Sequence, residues 1–118
     1  MTWDVEYTDE FENWWNSLSD DEQDDVAANV ELLSAKGVGL GFPKSSDVKG
    51  SKYGNLRELR VKSGGKQIRV FYAFDPRRVA ILLIGGTKGD RFYESMIPIA
   101  DRLYEDHIEE LRKEGLIE

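Results

Sequence analysis

Two arginines, Arg60 and Arg69, stand inside strand-like runs, where a sheet ordinarily takes apolar or neutral side chains. One run is Leu56-Arg-Glu-Leu-Arg-Val61 and the other is Gln67-Ile-Arg-Val-Phe-Tyr-Ala-Phe74, joined across Ser63-Gly64-Gly65. Side chains alternate along a strand. Glu58 and Arg60 therefore share one face with Leu56, while Arg57, Leu59 and Val61 share the other. On the second run Gln67, Arg69, Phe71 and Ala73 take one face and Ile68, Val70, Tyr72 and Phe74 the other. A turn between Lys62 and Lys66 brings Arg60 and Arg69 opposite or diagonal. Like charges so placed cost a few tenths to about 1 kcal/mol, and an anion close by offsets that cost. Glu58 is one such anion; a phosphate held between the guanidinium groups is the other, since arginines clamp phosphate in a bidentate manner.

More cations and a phenol follow. A third run, Val79 to Ile84, leads into Gly85-Gly86-Thr87-Lys88-Gly89-Asp90-Arg91-Phe92-Tyr93. Its glycines let backbone approach a ligand closely, and Lys88, Arg91 and Tyr93 lie on one short segment. Lys44, Lys49 and Lys52 sit in a glycine- and serine-rich stretch at the edge of the expected basic face. His107 is the only histidine and lies among Glu105, Asp106, Glu109 and Glu110. A lone helical histidine beside acids reads as a surface group before it reads as a general base. The two-histidine zinc motif and the glycine-rich phosphate-cradling patterns are absent.

The elements that must position these groups can be read in chain order. Trp3 to Tyr7 alternates like a strand. Thr8 or Asp9 caps a short helix carrying Phe11, Trp14, Trp15 and Leu18. Ser19 and Glu22 have capping-box spacing before a second helix with Val26, Val30 and Leu33, which Gly37 ends. This helical hairpin covers one face of the sheet, and its aromatics read as core. Gly37 to Gly54 reads as a loop, and the three runs form an antiparallel meander. Asp75-Pro76-Arg77-Arg78 reads as a turn whose arginines are solvated. Pro98 suits the first turn of a last helix, with Ile99, Leu103, Ile108 and Leu111 along one stripe. The expected fold class is α+β: an N-terminal strand and helical hairpin packed on a mostly antiparallel sheet of three to four strands, with a C-terminal helix.

At 118 residues and 40% hydrophobic content, residues 1–118 make one domain with its own core. The absence of cysteine excludes disulfides and thiolate chemistry. No basic leader or membrane-length apolar run is visible, which points to a cytoplasmic protein. The net charge of -7 argues against a nucleic-acid partner, but its distribution reverses that. From Lys44 to Arg91 twelve Lys/Arg stand against four Asp/Glu; elsewhere four stand against nineteen. A basic working face flanked by acidic helices accounts for the asymmetry.

The order strand, helical hairpin and meander, with Leu-Arg-Glu-Leu-Arg-Val, Arg-Val-Phe-Tyr and Gly-Gly-Thr-Lys, resembles the RelE/ParE toxin superfamily. Within it the likeness is to the HigB-like, phage Gp49-like branch, over roughly residues 3 to 111. The resemblance implies the toxin of a type II toxin–antitoxin system, neutralised by a small antitoxin, here expected to be a helix-turn-helix DNA-binding protein. It implies an endoribonuclease that cuts messenger RNA on the ribosome and inhibits translation, with no metal and no cofactor. By position, Arg60 and Arg69 match the strand cations that hold the scissile phosphate, Lys88 the basic residue ending the last strand, and Tyr93 the C-terminal tyrosine. A tyrosine or lysine acting as base, each with a reference pKa of about 10, needs strong depression by neighbouring cations, and Glu58 is an alternative base. Lys44, Lys49, Lys52, Arg57 and Arg91 are expected to bind RNA. Two departures stand out: the acidic balance, and a last segment longer and more helical than in compact members. Two other readings stay open, a ParE-like gyrase poison and a catalytically inactive antitoxin-binding module.

Overall fold

The computed structural model describes residues 2–118. Five strands and three helices follow in chain order: β1 (Val5–Tyr7), α1 (Asp9–Asn16), α2 (Asp20–Lys36), β2 (Ser45–Asp47), β3 (Arg57–Ser63), β4 (Lys66–Phe74), β5 (Ala80–Thr87) and α3 (Phe92–Lys113). They form a single sheet in the order β1-β5-β4-β3-β2. Only the β1–β5 pair is parallel. The α+β class, the helical hairpin, the meander and the C-terminal helix are all as expected. The sheet has one strand more than expected, because the stretch from Gly37 to Gly54 is not all loop. Ser45–Asp47 pairs with the outer edge of β3.

The turns and caps follow from local chemistry. Gly64 and Gly65 have φ of 54° and 82°, the left-handed region that a two-residue hairpin turn requires. The Thr8 hydroxyl accepts the Phe11 N–H at 3.0 Å and donates to the Leu83 carbonyl at 2.6 Å, which ties the start of α1 to β5. Ser19 and Glu22 satisfy each other's backbone N–H at 3.2 and 2.9 Å, a complete capping box.

Strand alternation sorts the core into two layers. Leu59, Val61, Ile68, Val70, Tyr72 and Leu82 pack under α1 and α2 with Phe11, Val26 and Leu33. Leu56, Phe71, Ala73, Ile81 and Leu83 pack under α3 with Phe92, Ile97, Ala100 and Leu103. Glu58, Arg60 and Arg69 thus belong to the α3 face.

The last helix differs from expectation. It begins at Phe92, so Pro98 lies inside it and Tyr93 sits in its first turn. Pro98 is exposed, and the hydrogen bond it cannot donate to the Glu94 carbonyl is lost on the solvent side. Burial of Phe92, Ile97 and Ala100 carries the helix through that gap.

The arginines of the Asp75 turn are not simply solvated. Arg77 bridges buried Asp75 and Glu6, each at 2.8 Å, and the Arg78 guanidinium lies 5.2 Å from the centroid of the Trp3 ring. His107 is no surface group either: its Nε2 lies 2.9 Å from Asp75 Oδ2. Burial pushes the Asp75 carboxyl up, but hydrogen bonds from Arg77 and His107 outweigh this and hold it below the usual range.

Candidate functional site

Arg60 and Arg69 are directly opposite in the β3–β4 register. Glu58, two residues from Arg60 on the same face, is the carboxylate that offsets them. Its Oε2 accepts the Ser46 hydroxyl at 2.9 Å and Arg60 Nη1 at 3.5 Å; its Oε1 lies 3.8 Å from Arg69 Nε. Arg69 is only 3% exposed. Its Nη1 donates to the Ile68 carbonyl at 3.1 Å and its Nη2 to Gln67 Oε1 at 3.2 Å, but the buried Nε has no hydrogen-bond acceptor among the described residues. A buried cation normally has every donor satisfied, because an unpaired one carries its full desolvation cost. Arg69 therefore retains unused capacity for an anion.

Tyr93 enters from the first turn of α3 and donates its hydroxyl proton to Glu58 Oε1 at 2.8 Å. Burial, then the hydrogen bond to Glu58, push the phenol above its ordinary value of 10, with Arg69 acting weakly the other way. The phenol is thus held protonated at neutral pH. Lys88, just past the end of β5, places Nζ 5.5 Å from the centroid of the Tyr93 ring. Glu58, Arg60, Arg69, Lys88 and Tyr93 are thus brought together from β3, β4, the β5–α3 link and α3.

This cluster opens on one side. The β2–β3 ladder ends with Ser45 opposite Leu59, and the Lys44 carbonyl takes the Arg60 N–H at 2.9 Å. Beyond that point the outer edge of β3 is bare, and a cavity of ≈560 Å³ lies beside it. Pro43, Lys44, Arg60, Lys62, Gln67 and Arg69 line it, together with Asp25 and Asn29 of α2.

The other expected RNA-binding cations are spread. Lys44 lines the cavity. Lys52 pairs with Glu105 at 3.3 Å, and Glu105 lies about 18 Å along α3 from Tyr93 at ~1.5 Å per residue. Lys49 is exposed in the β2–β3 connection. Arg91 is exposed at the N-cap of α3, with φ of 55°. Arg57 points to the opposite face of β3, where Nε donates to the Ser45 hydroxyl at 3.1 Å and Nη1 pairs with Asp47. Its guanidinium fastens β2 to the sheet and is not part of the cluster.

The glycines near the end of β5 also have a different task from the one expected. A Cβ at Gly85 would stand 2.4 Å from the Trp14 ring, and one at Gly86 would stand 2.9 Å from Phe92. They admit core aromatics on the two faces of the sheet, not a ligand. Ser46, Lys62 and Gln67 were missed as site residues. Lys62 and Gln67 share the arginine face by the same two-residue alternation that places Arg60 and Arg69. Ser46 carries no such signal, because β2 has no apolar pattern.

Comparison with known proteins agrees with this architecture. Residues 13–105 match the family described as "Phage derived protein Gp49-like". The chain is 41% identical over 98 residues to the putative toxin HigB3 of Mycobacterium tuberculosis (strain ATCC 25618 / H37Rv), covering 80% of this chain and 84% of that one. It is 37% identical over 99 residues to the putative toxin HigB2 of the same organism, covering 80% of this chain but spanning only about half (49%) of the relative's length. Among solved structures, a chain in the crystal structure of the archaeal RelE–RelB complex from Pyrococcus horikoshii OT3 superposes with a TM-score of 0.56 at 19% identity, covering 76% of this chain and 99% of that one. That likeness is one of fold.

Proposed function

The chain belongs to the phage-derived Gp49-like family, the HigB-like branch of the RelE/ParE superfamily, and from that premise we propose that it is the toxin of a type II toxin–antitoxin pair. Its activity in this reading is cleavage of messenger RNA on the ribosome, which halts translation in the cytoplasm. Its partners are the ribosome, the message and a small helix-turn-helix antitoxin. No helix among the described residues is long and apolar enough to cross a membrane.

One observation carries the reading. Arg69 is buried opposite Arg60 on the wall of an open cavity, and its Nε, 3.8 Å from Glu58 Oε1, has no hydrogen-bond acceptor among the described residues. A phosphodiester oxygen supplies the missing acceptor and the charge that the arginine pair calls for.

RNA carries its own nucleophile. The 2′-hydroxyl oxygen attacks the adjacent phosphorus, the bond to the 5′-oxygen breaks, and a 2′,3′-cyclic phosphate and a 5′-hydroxyl result. The 2′-hydroxyl must lose a proton and the 5′-oxygen must gain one. Arg60 and Arg69 hold the non-bridging oxygens and stabilise the charge that builds on them. Glu58 is the carboxylate in reach of the arginines and is the base. Entry of the phosphate draws Arg60 off its 3.5 Å contact with Glu58 and leaves Oε2 free to take the 2′ proton. Tyr93, kept protonated, is the acid for the leaving oxygen, and Lys88 beside it adds positive charge. This assignment reverses the role expected of a depressed, basic tyrosine.

The test is induced expression in a bacterium, wild type beside Arg69→Ala, with primer extension on a translated message. New 5′ ends within codons, present with wild type and absent with the variant, are the expected result. Growth arrest without cleavage would instead move the target to gyrase. No arrest from folded wild-type protein would leave an antitoxin-binding module.

A further inference from the structure

Phe42 is 76% exposed, the most exposed of the large hydrophobic side chains among the described residues. Single exposed apolar residues are common and need no explanation. This one is different in two ways.

First, it is held in place. Lys44 N–H and Ser45 N–H both donate to the Gly41 carbonyl, at 3.2 and 3.1 Å, closing a turn with Phe42 at its tip. Leu40 before the turn and Ser45 after it are buried, so the turn is anchored on both sides. Second, it adjoins the arginine cluster. The Arg60 guanidinium carbon lies 5.4 Å from the Phe42 ring centroid, and the next two residues, Pro43 and Lys44, line the cavity.

A ring presented to water beside a phosphate clamp has the arrangement with which proteins seize single-stranded nucleic acid. The cations track the backbone, and the aromatic face takes a base. We propose that Phe42 is the stacking platform for the base of a nucleotide next to the phosphate held by Arg60 and Arg69. The inference rests on the endonuclease reading. It adds a contact to a base and predicts that the substrate is unstacked there, since a paired base cannot reach the ring. Stacking does not distinguish the bases sharply, so Phe42 sets where along the strand the cut falls more than which base is cut.

The experiment is single-turnover cleavage of a message on programmed ribosomes. Wild type, Phe42→Ala and Phe42→Trp are compared on intact message and on messages carrying one abasic nucleotide on either side of the cut. Phe42→Ala is expected to lose about 5- to 150-fold on intact message, the range that one lost stack covers. It should lose nothing further when the stacked nucleotide is abasic, and Phe42→Trp should retain activity on intact message. Equal cleavage of intact message by wild type and Phe42→Ala would overturn the inference while leaving the endonuclease standing. If that variant cleaved normally but escaped neutralisation by the antitoxin, Phe42 would belong to a protein interface instead, which also overturns it. A wild type that cuts no message would remove the endonuclease reading and the inference together.

Discussion

The Tyr93 hydroxyl donates a 2.8 Å hydrogen bond to Glu58 Oε1, joining the first turn of α3 to the start of β3. The proton sits between a half-buried phenol and a carboxylate that also serves two arginines. That relationship decides which of the two groups gives a proton and which takes one.

Tyr93 is raised above 10 by burial and by Glu58. A group raised on folding contributes stability below its unfolded pKa and loses that contribution as pH rises through the folded one. The Tyr93–Glu58 bond should therefore be at full strength through neutral pH and weaken only above pH 10. Ultraviolet titration should show two tyrosines ionising late, Tyr53, which its hydrogen bond with Glu105 pushes up to about 12, and Tyr93, and Tyr93→Phe should remove one of the two. Cleavage by wild type should show no rise between pH 6 and 9 that Tyr93→Phe abolishes. Such a rise would restore tyrosinate as the base.

Arg69→Ala should lower cleavage by about 10²–10³-fold, the loss usual for a group that stabilises developing oxyanion charge. The two hydrogen bonds it donates are local, to Ile68 and Gln67. Chemical denaturation should show a loss of no more than about 3 kcal/mol and a cooperative transition. Wild-type rates from a folded variant would sink the assignment.

Glu58→Gln should cost about 3–5 kcal/mol, because it leaves two arginines, one of them buried, without their anion. Inorganic phosphate at about 100 times its Kd would return ~2.7 kcal/mol to a variant that binds it. Thermal unfolding with and without phosphate is the measurement. Phosphate should stabilise the variant more than wild type, since Glu58 and phosphate compete for the same guanidinium groups. Equal stabilisation of both would show that they do not compete.

Asp75 is held below its ordinary value of 3.8, burial opposing and the bonds from Arg77 and His107 prevailing. A depressed carboxyl contributes stability above its unfolded pKa and loses it as pH falls through the folded one. Asp75→Asn should therefore cost about 3–5 kcal/mol at pH 7, and the gap from wild type should narrow as pH falls below 4. Denaturation curves across that range, with cleavage at pH 7 unchanged per folded molecule, would separate this network from the arginine cluster.

The parts of the molecule governed by short-range rules were legible in the sequence. Two-residue alternation put Glu58 and Arg60 on one face, and the Gly64-Gly65 turn brought Arg69 opposite or diagonal to Arg60, with the exact register left to the structure. Capping chemistry placed both ends of α2. What escaped depends on distant partners. Ser45–Asp47 has no apolar alternation and becomes a strand only because β3 offers an edge and Arg57 pairs with Asp47. The start of α3 was hidden by Pro98, which reads as a first-turn residue until the burial of Phe92 is known. The glycines of Gly85-Gly86 look like ligand-contact positions until Trp14, 71 residues upstream of Gly85, is seen against one of them. His107 and Asp75 meet across 32 residues, which no local pattern signals.

The last helix is fastened to the body all along its length, and three of the fastenings, near its start, middle and end, fix its register. Tyr93 bonds to β3, Asp101 takes the Ser51 hydroxyl and the Lys52 N–H of the β2–β3 connection, and His107 meets Asp75 at the β4–β5 turn. Each residue added to a helix turns it by about 100° and advances it ~1.5 Å. Three fixed points on one rigid rod make α3 a ruler as well as a cover. Deleting one residue between Tyr93 and Asp101 would keep the helix and its two downstream fastenings, yet swing the phenol away from Glu58. In families of such chains, the spacing from tyrosine to aspartate to histidine should tolerate substitution far better than it tolerates insertion.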